Sequence, residues 1–96
     1  MDIEFWHHQP QRTYDRVCRV DNFLFLAGED SKDRTTQEVL GNDVTEQTKI
    51  LFHNLEETLS AFGSSLDHII KITTYLSNRE DRNAFSEARA KIMKHT

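Results

Sequence analysis

The sequence predicts an α+β fold in which a small mixed β-sheet carries two helices on one face. Three observations predict this class: a β-hairpin pattern in the first part of the chain, an amphipathic helix after it, and a β-branched segment followed by a second helix. The predicted order is therefore β-β-α-β-α. A chain of 96 residues has the size of one domain. We expect residues 1–96 to form a single domain.

The hairpin is predicted from a turn dipeptide between two apolar segments. Asp-Asn at 21–22 separates residues 14–20 from the apolar residues 23–27. The second strand is apolar on both faces, which is typical of a strand that is covered on both sides. We expect helices to cover one face and another subunit to cover the other. Residues 1–12 are compatible with an edge strand or an ordered arm.

The first helix is predicted to begin near Val44. Asp43 is an N-cap candidate, and Glu46 can complete a capping box with it. Gly63 then stands where a residue in the left-handed conformation usually closes a helix. Between these limits the apolar residues recur at helical spacing: Ile50, Leu51, Leu55, Leu59 and Phe62.

Residues 69–76 are β-branched and aromatic enough to predict a strand. The right-handed crossover rule would place this strand parallel to residues 23–27. Asp81 can cap a second helix, whose apolar stripe is Phe85, Ala88, Ile92 and Met93. A helix that leaves such a sheet normally returns a further strand to it. We therefore expect the domain to be incomplete at its C-terminus.

Composition narrows the classes of function. The formal net charge is −4, and the Lys and Arg residues are scattered, which argues against nucleic acid as the primary ligand. A single cysteine, Cys18, excludes an internal disulfide framework. The longest apolar run, residues 23–27, is too short for a membrane anchor, and the N-terminus lacks a leader pattern. We expect a soluble cytoplasmic protein that does not bind a membrane.

Several short motifs occur in the order found in one known family. They lie at residues 20–28, 43–48, 62–67 and 71–76, together with Asn54, Leu55, Leu59 and Phe85. Through these motifs, residues 14–93 resemble the RidA/YjgF family of small imine and enamine deaminases, which is also described as endoribonuclease L-PSP-like.

The resemblance implies a chorismate-mutase-like two-layer fold that assembles as a homotrimer, with clefts between the subunits. It implies hydrolysis of small reactive 2-imino and 2-enamino acids, such as 2-aminoacrylate, to 2-keto acids and ammonia. No metal or cofactor is needed for this chemistry. A guanidinium pairs with the substrate carboxylate, and a carboxyl group helps water to add to the imine carbon.

The resemblance also implies site residues. Tyr14 stands where the family has a cleft tyrosine, and Gly28 where a backbone group approaches the substrate. Ala27 replaces the common serine before that glycine, and Ser86 stands where an asparagine is frequent. We therefore predict Tyr14 as catalytic and Gly28, Ala27 and Ser86 as substrate-binding. Tyr14 can also be interpreted as a residue that packs at a subunit interface.

The family's substrate-binding arginine and its acidic residue belong to C-terminal strands that lie beyond the point matched by Thr96. Arg12, Arg16 and Arg19 are the candidates within the chain for such a guanidinium. An alternative function therefore stays open. It is a non-catalytic trimer on the same scaffold that binds a small molecule or serves as an interaction module.

Other residues that could bind a metal or take part in catalysis are better explained by structural roles. His53 and Glu57 have metal-ligand spacing on one helix face, but a third ligand is not evident. No neighbouring motif activates Cys18, so we expect it to fill apolar space. Glu29 and Asp30 are adjacent, and adjacent strand positions point to opposite faces, so a solvated loop is expected there.

Overall fold

The computed structural model describes residues 3–6, 17–33 and 35–93. In this part the elements are β1 (Ile3–Trp6), β2 (Val17–Val20), β3 (Phe23–Leu26), α1 (Val44–Ala61) and α2 (Arg82–Ile92), with 3-10 turns at Leu66–His68 and Arg79–Asp81. The α+β class predicted from the sequence is confirmed.

The sheet is antiparallel, with the strand order β1-β2-β3. Val20 pairs with Phe23 across the predicted two-residue turn, and Ile3 pairs with Val20 on the other side of β2. Asp21 adopts a φ of 53°, which aspartate tolerates better than most residues. The predicted hairpin is present, and of the two alternatives left open for the N-terminal segment, residues 3–6 form the edge strand.

The two faces of the sheet differ sharply in exposure. Val17 is only 1% exposed, and Arg19 on the same face donates from Nη2 to the carbonyl oxygen of Phe62 at 3.0 Å. That face therefore turns toward the end of α1. The opposite face carries three apolar side chains that are each more than half exposed: Ile3, Phe23 and Phe25, at 51%, 53% and 59%.

Helix α1 begins and ends as the sequence predicts. The backbone N–H of Glu46 donates to Asp43 Oδ1 at 2.8 Å, and Glu46 Oε2 accepts from the backbone N–H of Asn42 at 2.7 Å. These bonds satisfy amides that no carbonyl of the helix can reach. At the other end Gly63 has a φ of 77°, and the next backbone N–H donates to the carbonyl oxygen of Leu59 at 2.8 Å.

The two helices share a small apolar core. Phe52, Leu59, Ala88 and Met93 are each at most 5% exposed. Asp81 precedes α2 but makes no side-chain capping bond, which corrects the predicted cap. It lies in the helical region, at φ −82° and ψ −4°, whereas a capping residue is usually extended. Neither described helix combines the length and apolar character that crossing a membrane requires.

The predicted strand at residues 69–76 is wrong. This segment belongs to no strand, so the sheet in the described part of the chain is antiparallel and not mixed. The segment has strand-forming residues, but a strand also needs a partner at about 4.8 Å. A groove separates the segment from β3, so the two do not pair. The observed order is β-β-β-α-α.

Candidate functional site

A groove of about 1090 Å³ lies beside the edge of β3 that pairs with no other strand in the described part of the chain. One wall is formed by residues 22–29 and the other by residues 68–75. Apolar residues of α1, including Leu51, Leu55 and Leu59, line the groove between these walls. We call this feature the β3 groove, and its size and mixed lining make it the candidate functional site.

Two of the four predicted site residues line the β3 groove. Ala27 and Gly28 follow β3 directly, and both are exposed. A Cβ atom added to Gly28 would meet no atom within 4 Å, so the backbone is open to a ligand at this point. Ser86 is exposed on α2 and is not part of the groove lining, although its neighbour Phe85 is. Tyr14 lies outside the described residues. The roles of all four stay predictions.

Charged side chains of both signs line the groove. Among the described residues, one arginine and one lysine line the groove, Arg19 and Lys71. One carboxylate, that of Glu29, lines it as well. Lys71 is exposed, whereas Glu29 is half-buried. Of the three arginines considered from the sequence, only Arg19 belongs to the described residues. Lys71 was not among the site residues predicted from the sequence, because it lies within residues 69–76, which were predicted as a strand.

The loop after β3 is attached to α1 by one side chain. Asn54 Nδ2 donates to the carbonyl oxygens of Asp30 and Lys32, each at 3.1 Å. Ser31, between them, is only 7% exposed. The loop therefore has a fixed position where it enters the groove. The sequence carried a signal for this role, because asparagine is a weak helix former and its presence inside α1 suggests a tertiary bond.

The rest of that loop is ordered around Asp33. The backbone N–H groups of Thr36 and Thr35 donate to Asp33 Oδ1 at 2.9 and 2.8 Å. These bonds, first from Thr36 and then from Thr35, lower the pKa of Asp33 because they stabilise the carboxylate. An isolated bridge between Lys32 and Val39 closes the loop. The segment predicted only as a polar surface loop therefore has defined internal structure.

The other candidates from the sequence, His53, Glu57 and Cys18, belong to no cluster of metal-binding side chains among the described residues. His53 Nε2 and Glu57 Oε1 are 3.0 Å apart on the exposed face of α1. Cys18 is half-buried and is not part of a disulfide. Across residues 3–6, 17–33 and 35–93, no three metal-binding side chains come together.

These features define a small α+β protein with a groove between its sheet and residues 68–75. The profile described as Endoribonuclease L-PSP matches residues 7–96. A RutC family protein from Pyrococcus abyssi is 36% identical over 73 residues, which is 76% of this chain and 58% of that protein. The chain therefore belongs to the RidA/YjgF family, as its motifs predict.

A solved structure shows the same fold. The crystal structure of yeast Mmf1 matches with a TM-score of 0.83 at 20% identity, covering 99% of this chain and 78% of that one. A second relative has a more specific name, 2-iminobutanoate/2-iminopropanoate deaminase from mouse. It is 26% identical over 74 residues, 77% of this chain and 55% of that protein. The chain spans less than two thirds of the length of these curated relatives.

Proposed function

We propose that this chain is the subunit of a deaminase that hydrolyses small 2-imino and 2-enamino acids to 2-keto acids and ammonia. The observation that carries the proposal is that the two predicted substrate-binding residues next to β3, Ala27 and Gly28, line the β3 groove. Membership of the RidA/YjgF family and the likeness to the mouse deaminase support the choice of chemistry.

The reaction adds water to an imine. The water oxygen forms a bond to the imine carbon while a proton is transferred to the imine nitrogen, which gives a carbinolamine. A second proton then reaches the nitrogen and the hydroxyl group loses its proton, so the carbon–nitrogen bond breaks, the C=O bond forms and ammonia departs. A 2-keto acid remains. Each proton transfer needs a positioned acid or base, and Glu29 is the groove carboxylate that we assign to this role.

Binding of the substrate requires a cation for its carboxylate and space for its small side chain. Lys71, exposed on the wall opposite β3, is our candidate for the cation, and Arg19 is the second. Gly28 allows the substrate to approach the backbone closely because it has no side chain. We keep the predicted role of Tyr14, whose hydroxyl would position the substrate or the water.

The proposed assembly is a homotrimer with small-molecule sites between subunits. The exposed face formed by Ile3, Phe23 and Phe25 supports it. Contiguous apolar patches on one face of a sheet are rarely left open to water. A neighbouring copy that covers this face would bury three large side chains from each subunit.

An imine-clearance assay tests the proposed function. A pyridoxal-phosphate dehydratase generates 2-aminoacrylate, and release of the keto acid is followed with and without this chain. We expect faster release with the chain, and we expect Glu29→Gln to abolish the acceleration. Glu56→Gln, which removes an exposed carboxylate on α1, is the matched control and should leave the rate unchanged. A folded wild-type chain that does not change the rate would contradict the proposal.

A second candidate function is a non-catalytic trimer that binds a small molecule or a partner protein. The exposed Phe23 and Phe25 favour it, because that face supports association whether or not the groove is catalytic. Trimer formation together with an unchanged rate of imine clearance would support this alternative. Endoribonuclease, the activity in the family description, is less well supported, because the net charge of −4 opposes binding of a polyanion.

A further inference from the structure

We propose that Asn54 is a positioning residue of the proposed deaminase, which holds the loop after β3 so that Glu29 can act on the substrate. Asn54 would therefore control turnover and leave binding of the substrate carboxylate unchanged. The inference rests on the proposed function and assigns to it a side chain that lies outside the groove lining.

The carbonyl groups that Asn54 binds lie next to Glu29 in the chain. Asn54 Nδ2 donates to the carbonyl oxygen of Asp30 at 3.1 Å, and Asp30 follows Glu29 directly. Adjacent Cα atoms are only about 3.8 Å apart, so a fixed carbonyl at Asp30 leaves Glu29 little freedom to shift. The second bond, to the carbonyl oxygen of Lys32 at 3.1 Å, prevents the loop from pivoting about the first. Two bonds thus fix both the place and the direction of the chain beside Glu29.

Asn54 is itself held firmly. It is half-buried in the middle of α1, and Thr58 Oγ1 donates to its backbone carbonyl oxygen at 3.1 Å. Thr58 is only 3% exposed. A side chain supported from a packed helix is placed more precisely than one supported from other loop residues. Helix α1 therefore provides a rigid support for the loop.

The opposite end of the loop has a similar support. Gln47 Nε2 donates to the carbonyl oxygen of Gly41 at 3.4 Å. Gln47 precedes Asn54 by seven residues, so about two turns of α1 separate them and both lie on one face of the helix. Gln47 therefore binds the same loop with the same amide group, but at a point twelve residues from Glu29. This makes Gln47 the matched control for Asn54.

Backbone bonds within the loop separate its two ends. They join residues 31–33 to residues 37–40 at distances of 2.8 to 3.0 Å. Because these bonds hold the middle of the loop together, the end at Gly41 can loosen without displacing the residues beside Glu29. Loss of the Asn54 bonds, by contrast, releases the end at the groove.

The expected defect is one of turnover. Glu29 is the proposed acid or base, and such a group must lie within hydrogen-bond reach of the proton that it transfers. Lys71, the candidate cation for the substrate carboxylate, lies on the opposite wall of the groove. A displacement of about 1 Å can lower a rate by about a hundredfold. We expect Asn54→Ala to lower kcat by about tenfold to a hundredfold and to change KM by less than about threefold.

Steady-state imine clearance measures this division between kcat and KM. The assay compares wild type, Asn54→Ala, Asn54→Asp and Gln47→Ala at a temperature where circular dichroism shows each chain folded. Asn54→Asp keeps the size of the side chain but removes its N–H donors, so it should lose as much kcat as Asn54→Ala. Gln47→Ala should keep kcat within about threefold of wild type.

A second control separates positioning from stability. Ala88, on α2, is 4% exposed and does not line the groove. Ala88→Gly should destabilise the fold, because glycine is a poor helix former and the substitution removes a packed methyl group. The folded Ala88→Gly chain should nevertheless keep the kcat of wild type.

The outcomes distinguish this inference from the proposed function. An unchanged kcat for folded Asn54→Ala beside an active wild type would overturn the inference alone. Full activity of Asn54→Asp, or an equal loss of kcat in either control variant, would also overturn it. A folded wild-type chain that does not accelerate imine clearance would instead overturn the proposed function, and the role of Asn54 with it.

Discussion

Asn54, in the middle of α1, donates its side-chain amide to the carbonyl oxygen of Lys32, 22 residues earlier, at 3.1 Å. The same nitrogen donates to the carbonyl oxygen of Asp30 at 3.1 Å. One side chain thus fixes two backbone groups of the loop that follows β3. Because Gly28 and Glu29 lie just before these anchored residues, their position at the β3 groove depends on a bond from the helix.

Replacement of Asn54 should weaken this attachment without changing the core. We expect Asn54→Ala to lower the free energy of unfolding by about 1–2 kcal/mol, because two backbone carbonyl oxygens lose their donor and the bond to Lys32 is partly buried. Urea unfolding measures the loss, and amide exchange of Ser31 and Lys32 should show where it arises.

Asn83→Ala on α2 is the control for that substitution, because Asn83 is exposed. It should change the free energy of unfolding by less than about 0.5 kcal/mol. Equal effects of the two substitutions would show that Asn54 contributes only through helix propensity and does not hold the loop.

A substitution at Gly28 separates a role in binding from a role in folding. A Cβ atom added there meets nothing within 4 Å, and Gly28 does not have a positive φ. We therefore expect Gly28→Ala to leave the unfolding midpoint unchanged or slightly raised. In the imine-clearance assay, however, the added methyl group should reduce activity about tenfold or more if the substrate lies against this backbone. Full activity of a folded Gly28→Ala chain would remove Gly28 from the proposed site.

The exposed sheet face predicts the effect of a charge on assembly. Phe23→Glu would place a carboxylate in a face that we propose is buried between subunits, and an unpaired buried charge is costly. We expect Phe23→Glu to dissociate the trimer to monomers in analytical ultracentrifugation. Val39→Glu, at a side chain that is 63% exposed in the loop, should leave the mass unchanged. A monomeric wild-type chain would contradict the proposed assembly.

Local backbone rules predicted most of the fold. The start of α1 could be predicted because Asp43 and Glu46 form their capping bonds with near neighbours in sequence. The turn at Asp21 and the helix end at Gly63 are equally local, since each depends on one residue with a positive φ. These features do not require knowledge of what packs against them.

Features that depend on distant partners could not be predicted in the same way. Residues 69–76 have a strand-forming sequence, but strand formation requires a neighbour, and the sequence of the segment does not show whether one is present. The bonds from Asn54 and the place of Lys71 on a groove wall likewise depend on how α1 and the sheet are arranged. Ala27 and Gly28 were predicted as site residues because the sequence resembles a family, and not from the spacing or chemistry of the residues themselves.

The loop around Asp33 should respond to acid. Backbone N–H groups of Thr36 and Thr35 stabilise the carboxylate, so the pKa of Asp33 is lowered from 3.8 in the folded chain. The stabilisation is therefore complete above pH 3.8 and is lost as the pH falls below 3.8 through the folded-state pKa. We expect the amide of Thr36 to lose its protection from exchange over that lower range.

Asp33→Asn is the matched variant for this titration. Asparagine keeps an oxygen that can accept the same backbone bonds but cannot titrate. Exchange at Thr36 should then lose its acid-dependent step. A Thr36 amide that responds to acid equally in both chains would show that another group controls the loop.

Two glycines with positive φ should differ in the cost of a side chain. Gly63 has a φ of 77° and open space where a methyl group would lie, so Gly63→Ala should cost about 1–2 kcal/mol from backbone strain alone. Gly41 has a φ of 95°, and a Cβ atom there would lie 2.9 Å from the backbone nitrogen of Gln47, in the first turns of α1. Backbone cannot move aside as a flexible side chain can, so Gly41→Ala should cost at least about 1 kcal/mol more.

Urea unfolding of the two variants measures both contributions. Gly28→Ala, which carries neither penalty, is the control. If Gly41→Ala were no less stable than Gly63→Ala, the close approach of the loop to α1 at Gln47 would not persist in solution.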